Sequence, residues 1–168
     1  MIPRYMHSLL VFVLALAAIP ISHAEDPHPH PIQWSLTASA SALPLRDGSQ
    51  VQGTLHAKIQ PGWHLYAMDQ LPGGPTATRI SVAASRVFMP NGSIEADTAP
   101  LVANDPNFDL ETRYYEGEAS FRIPVKVTSS AGAAQAKLAV DVLFQSCSDH
   151  LCLPPVVVHL SARPKQGR

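Results

Sequence analysis

The two cysteines of this 168-residue chain lie within one short segment, Phe144-Gln145-Ser146-Cys147-Ser148-Asp149-His150-Leu151-Cys152-Leu153-Pro154-Pro155. Thiols this close in sequence can bond to each other, but the bond would be a weak brace. In the chain-entropy model a closed loop of about six residues contributes roughly 2 kcal/mol, against roughly 4.7 kcal/mol for a loop of about a hundred. The spacing suits a bond that opens and closes. Exchange of that kind needs a thiolate and a path by which another thiol can approach. His150 is the only residue inside the loop able to carry positive charge and favour a thiolate, and Asp149 opposes it.

Other chemistries use the same residues. A permanent hairpin disulfide in a non-enzymatic binding module is one. A copper or zinc site is another, with Cys147, His150 and Cys152 as soft ligands and His64 as a fourth. Structural zinc sites usually back one cysteine pair with a second, and the chain has only two cysteines. A hydrolytic cysteine enzyme would need a dedicated base, and only isolated histidines are present. The residues call for no cofactor.

The elements that must hold these cysteines read as β-strands. Val51, Gly53, Leu55, Ala57 and Ile59 alternate with polar neighbours, as do Phe121, Ile123, Val125 and Val127, and Leu138, Val140, Val142 and Phe144. Alternation of this kind turns one set to a core and the other to solvent. Further strands are predicted over 34–40, 63–66, 78–84 and 156–160. Turn residues separate them at Asp47-Gly48, Pro61-Gly62, Pro72-Gly73-Gly74-Pro75, Asn91-Gly92 and Glu116-Gly117. No helical period holds over three turns. The expectation is an all-β, antiparallel sandwich. Cys147 ends one strand and Cys152 precedes another, which predicts a hairpin with both cysteines near its tip. Pro124 cannot donate to a ladder, so its strand is expected at an edge or bulged.

The chain opens as an export signal: Arg4, an apolar run from Leu9 to about Ile21, then Ser22-His23-Ala24 before Glu25 and Asp26. Cleavage is expected after Ala24. The competing reading, a membrane anchor, meets a run shorter than the roughly twenty residues a span needs and broken by Pro20. Residues 25–33 then form a leader whose Pro27-His28-Pro29-His30-Pro31 tract could bind copper or zinc but reads more simply as an extended linker. One domain is expected over 34–162 and a tail over 163–168. A net charge of −1 argues against a nucleic-acid or membrane-surface partner, and no membrane insertion is expected after signal cleavage. An exported domain of this size has enough core to fold without a disulfide, and its compartment lets one persist.

Four segments, in order, resemble the N-terminal periplasmic domain of the thiol:disulfide interchange protein DsbD. They are Pro61-Gly62-Trp63-His64-Leu65-Tyr66, Gly73-Gly74-Pro75-Thr76, Tyr115-Glu116-Gly117-Glu118 with Phe121-Arg122-Ile123-Pro124-Val125, and the cysteine loop through Pro155. The resemblance implies an immunoglobulin-like fold and a redox-active pair in a periplasmic protein. It implies that Cys152 forms mixed disulfides with thioredoxin-like partners, such as disulfide isomerases or cytochrome c maturation factors, and that Cys147 resolves them. Phe108 falls where the family has a cap-loop phenylalanine over the pair. Tyr66 matches an aromatic lining the site, and His64 stands where a second tyrosine is often found.

The chain also departs from the pattern. Pro106 and Asn107 replace an acidic pair before the cap phenylalanine, leaving Asp105 or Asp109 to substitute, and the cysteine loop is one residue shorter. The sequence ends at Arg168 with no transmembrane electron donor, so either a separate membrane-embedded thiol reductant is expected to reduce the domain or the same fold does another job.

Overall fold

A computed structural model describes residues 30–167, and these form thirteen strands and no helix. The export signal, with its expected cut after Ala24, lies outside the described residues, as does most of the leader.

The first layer has the order β13-β1-β2-β9-β5, with β6 also on β9. Here β1 is Ile32–Ala40, β2 Gln50–Ile59, β5 Phe88–Pro90, β6 Glu95–Ala96, β9 Glu118–Val127 and β13 Lys165–Gln166. The second layer is made of two short sheets. One is β12-β10-β4, from Val156–Ala162, Leu138–Phe144 and Arg79–Val82. The other is β11-β3-β8-β7, from Ser146–Cys147, His64–Tyr66, Leu110–Tyr115 and Leu101–Asp105. Strand β10 runs almost directly into β11, so one stretch of chain serves both. Every pairing is antiparallel except β1 with β13. The fold is an immunoglobulin-like antiparallel β-sandwich.

The alternation read from the sequence is what fills the space between the layers. Val51, Leu55, Ala57 and Ile59 of β2 are buried with Phe121, Ile123 and Val125 of β9 and with Leu138, Val140, Val142 and Phe144 of β10. Aromatic rings cross the gap. Trp34 of β1 sits edge-on to Phe144 of β10 with centroids 5.3 Å apart, and Tyr115 of β8 meets Phe121 of β9 at 5.7 Å. Gly53 marks the closest approach: a Cβ there would lie 2.9 Å from the Leu138 side chain.

One sequence expectation is corrected, and one hairpin had no counterpart in the sequence reading. Pro124 is not on an edge strand, since β9 is paired on both sides. Its carbonyl accepts from Asn91 N–H (2.9 Å), beyond the last residue of β5 and before β6 begins. The missing N–H therefore faces a gap in the neighbouring strand, where no ladder bond is lost. The hairpin β7–β8 was not foreseen, although it carries part of the site described below. At the domain limits, β1 begins at Ile32, inside the stretch read as leader, and Lys165–Gln166 pairs beside Ser39–Ala40 in the stretch read as tail.

Candidate functional site

Strands β10 and β12 form the expected hairpin, with Phe144 opposite Val156. Beyond it the chain folds back on itself more tightly. Ser148 N–H donates to Leu151 C=O (2.8 Å) and Leu153 N–H donates to Ser146 C=O (3.0 Å), so Cys147 and Cys152 face each other between two bonded pairs. That is the non-hydrogen-bonded position of an antiparallel ladder, where opposing side chains come closest. Cys147 and Cys152 form a disulfide there, with Cα atoms 4.1 Å apart. The Ser148 hydroxyl also accepts from Leu151 N–H (3.1 Å), closing the turn over Asp149 and His150. Gln145 braces the loop from below: its amide donates to Leu153 C=O (3.3 Å), and its oxygen accepts from Thr76 N–H (2.8 Å). The Gly73–Thr76 segment is thus docked against the cysteine loop.

The two sulfurs differ in access. Cys147 is fully buried (0% exposed), whereas Cys152 is half-buried, and Leu151, Pro154 and Pro155 around it are exposed.

What covers Cys147 comes from β3. His64 is its direct cross-strand partner, so the two side chains share one face of the sheet. Tyr66, two residues on, shares that face. His64 stacks on Tyr114 of β8 (centroids 4.4 Å), and its Nε2 lies 3.0 Å from Glu116 Oε1 and 4.0 Å from Asp149 Oδ1. Tyr66 is fully buried, and its hydroxyl donates to Asp105 Oδ2 at 2.6 Å. Burial first, and then the bond to Asp105, push the Tyr66 phenol far above the usual tyrosine range. The Tyr114 phenol is also raised, by burial and then by the charges of Glu116, Asp105 and Asp149.

Phe108 is at the tip of the β7–β8 hairpin, half-buried, its ring edge-on to Tyr66 (centroids 5.9 Å, interplanar angle 87°). The tip is shaped by Asp105. Its C=O accepts from Phe108 N–H (3.1 Å) and Asp109 N–H (2.8 Å), and its Oδ1 accepts from Asn107 N–H (2.9 Å). Asp109 takes a positive φ of 52°, which aspartate tolerates better than most residues. The Asn107 side-chain amide then reaches across to Ser148 C=O (2.9 Å), fastening the tip to the cysteine loop.

Cys147, Cys152, His64, Tyr66 and Phe108 are therefore brought to one end of the second layer. Of the two acids offered as substitutes, Asp105 is buried on Tyr66, whereas Asp109 is exposed. His150 is exposed at the turn, held by its backbone to Ser148. Tyr114 and Glu116 were not picked out as site residues. The Asp105-Pro106-Asn107 turn followed by the alternation of Thr112 and Tyr114 was the signal for them. Among the described residues no group of three or more His, Cys, Asp or Glu side chains is arranged to hold a metal ion.

A reachable disulfide at the tip of a sandwich hairpin, under a layer of aromatic side chains, defines a thiol–disulfide exchange domain. The family model described as thiol:disulfide interchange protein DsbD, N-terminal, matches residues 33–162, and the chain belongs to that family. Among solved structures, the N-terminal periplasmic domain of ScsB from Proteus mirabilis aligns with a TM-score of 0.59 at 21% identity, covering 83% of this chain and 49% of that one. The chain thus spans about half the length of that structure. The collagen-binding subdomain of the Enterococcus faecalis surface protein ACE aligns with a TM-score of 0.34 at 11% identity, over 83% of this chain and 99% of that one. No curated protein matches the sequence.

Proposed function

We propose that this domain works in the periplasm, after removal of residues 1–24, and relays reducing equivalents from a membrane-embedded thiol reductant to thioredoxin-like partners. The acceptor classes in this proposal are disulfide isomerases and cytochrome c maturation factors. The observation that carries the reading is the difference in burial across the disulfide: Cys147 is sealed and Cys152 is reachable.

In the reduced domain, the Cys152 thiolate attacks one sulfur of a partner's disulfide. A bond forms between Cys152 and that sulfur, the partner's bond breaks, and the displaced sulfur leaves as a thiolate that takes a proton from water. Cys147, after losing its proton, attacks Cys152 Sγ. The Cys147–Cys152 bond forms and the second partner thiolate is released. Two electrons pass to the partner, and the membrane reductant restores the dithiol by the reverse chemistry. Phe108 and the tip it belongs to cover the pair between encounters. Leu151, Pro154 and Pro155 give the partner an apolar surface next to Cys152.

The test is a Cys147→Ala variant mixed with oxidised thioredoxin-fold proteins. Mixed disulfides through Cys152 should accumulate, because the resolving thiol is gone. Their absence with every such partner overturns the relay.

A further inference from the structure

We propose that the charge of His64 tunes the departure of the Cys147 thiolate, making His64 a positioning residue for disulfide opening. The inference deepens the exchange reading and rests on it. When a thiolate attacks Cys152, a bond forms to Cys152 Sγ, the Cys147–Cys152 bond breaks, and its electron pair leaves on Cys147 Sγ. That sulfur is fully buried, so water does little to stabilise the new charge. The imidazole of His64, directly opposite on β3, shares the sheet face of Cys147, whereas His150 is exposed at the turn of the cysteine loop.

Two carboxylates stand beside the His64 ring. Its Nε2 faces the Glu116 carboxylate at 3.0 Å and the Asp149 carboxylate at 4.0 Å. Its ring lies on Tyr114, a neutral phenol whose ionisation is held back by burial. Tyr66 on the same strand is likewise neutral, and the nearby Asp105 is engaged by the Tyr66 hydroxyl. Around the ring, Glu116 from the turn after β8 and Asp149 from the cysteine loop supply carboxylates, Tyr114 of β8 and Tyr66 of β3 supply neutral phenols, and β11 supplies the cysteine. Histidine is the side chain whose charge ordinarily changes between pH 5 and 8. An imidazolium opposite Cys147 makes it a better leaving group, because a thiol of lower pKa departs faster. An opposite charge within about 4–6 Å moves a pKa by about one to three units.

The experiment uses the oxidised full chain and dithiothreitol. The rate of disulfide opening is measured from pH 5 to 9 and divided by the reagent's thiolate fraction. The wild-type value should fall by on the order of threefold to tenfold as pH rises through the imidazole range, the change expected when a leaving thiol's pKa moves by about one to two units. His64→Gln should be flat at the alkaline value. His64→Lys, which keeps the charge, should be flat at the acid value, and unchanged melting curves would confirm that both variants fold. A flat wild-type profile, or a His64→Gln profile that keeps the fall, overturns this inference while leaving the exchange reading intact. A bond that dithiothreitol cannot open at any pH overturns both.

Discussion

At Tyr66 a single hydroxyl ties β3 to the tip of the β7–β8 hairpin through Asp105. Removing it in Tyr66→Phe leaves a buried carboxylate with one donor fewer. A hydrogen bond to a charged group contributes about 1.5–3 kcal/mol, so the variant should unfold at lower urea concentration with an unchanged slope. The pH dependence has a definite sign. The folded-state pKa is raised above the unfolded value of about 10, so the unfolded chain releases its proton first. Stability tied to the neutral phenol is fully present below that pH and is lost above it, by up to about 1.4 kcal/mol per pH unit for each such group. Tyr114 and Tyr115 act in the same direction. Urea titrations from pH 8 to 11 should therefore show a shallower alkaline loss in Tyr66→Phe than in wild type, and equal slopes would refute the assignment.

The site is built by two hairpins that meet at their tips, and only one of them was legible beforehand. The β10–β12 pair shows itself through the alternation of Leu138, Val140, Val142 and Phe144 and through the two cysteines. The β7–β8 hairpin does not, because Leu101, Val102, Ala103 and Asn104 are all exposed and carry no inside–outside pattern. Choosing between Asp105 and Asp109 depended on that missing register, since only Asp105 ends a strand and turns inward. Pro124 misled for a related reason: its permission to sit in a central strand comes from a break in β5–β6, and no local sequence reports that break. The two tips are held together by the Asn107 amide on Ser148 C=O, with the Phe108 ring against Tyr66. Asn107→Ala should free the 106–109 tip. Amide hydrogen exchange there should quicken by about tenfold, the equivalent of a lost bond of roughly 1.4 kcal/mol, with the core strands unaffected. Exchange rates unchanged at the tip would mean that Phe108 packing alone holds it.

Across the whole molecule, the question is whether the sandwich depends on its disulfide. The core lies between β2 and β9 on one side and β10 on the other, with the Trp34–Phe144 and Tyr115–Phe121 ring pairs spanning the layers. None of these contacts runs through Cys147 or Cys152, which sit at one end of the second layer. The closed loop is short, so the bond restricts the unfolded chain by only about 2 kcal/mol. For a domain of about 150 residues, 1 kcal/mol moves the melting temperature by about 2–4 °C. Reduction to the dithiol should therefore lower Tm by about 4–8 °C and preserve one cooperative transition with the same far-ultraviolet spectrum. The reduction potential should lie above about −300 mV, where bonds of a relay are found and structural ones generally are not. A reduced protein that melts out at room temperature would show a bond needed for folding. The proposed relay requires the domain to stay folded as a dithiol, and the placement of the core away from the sulfurs meets that requirement.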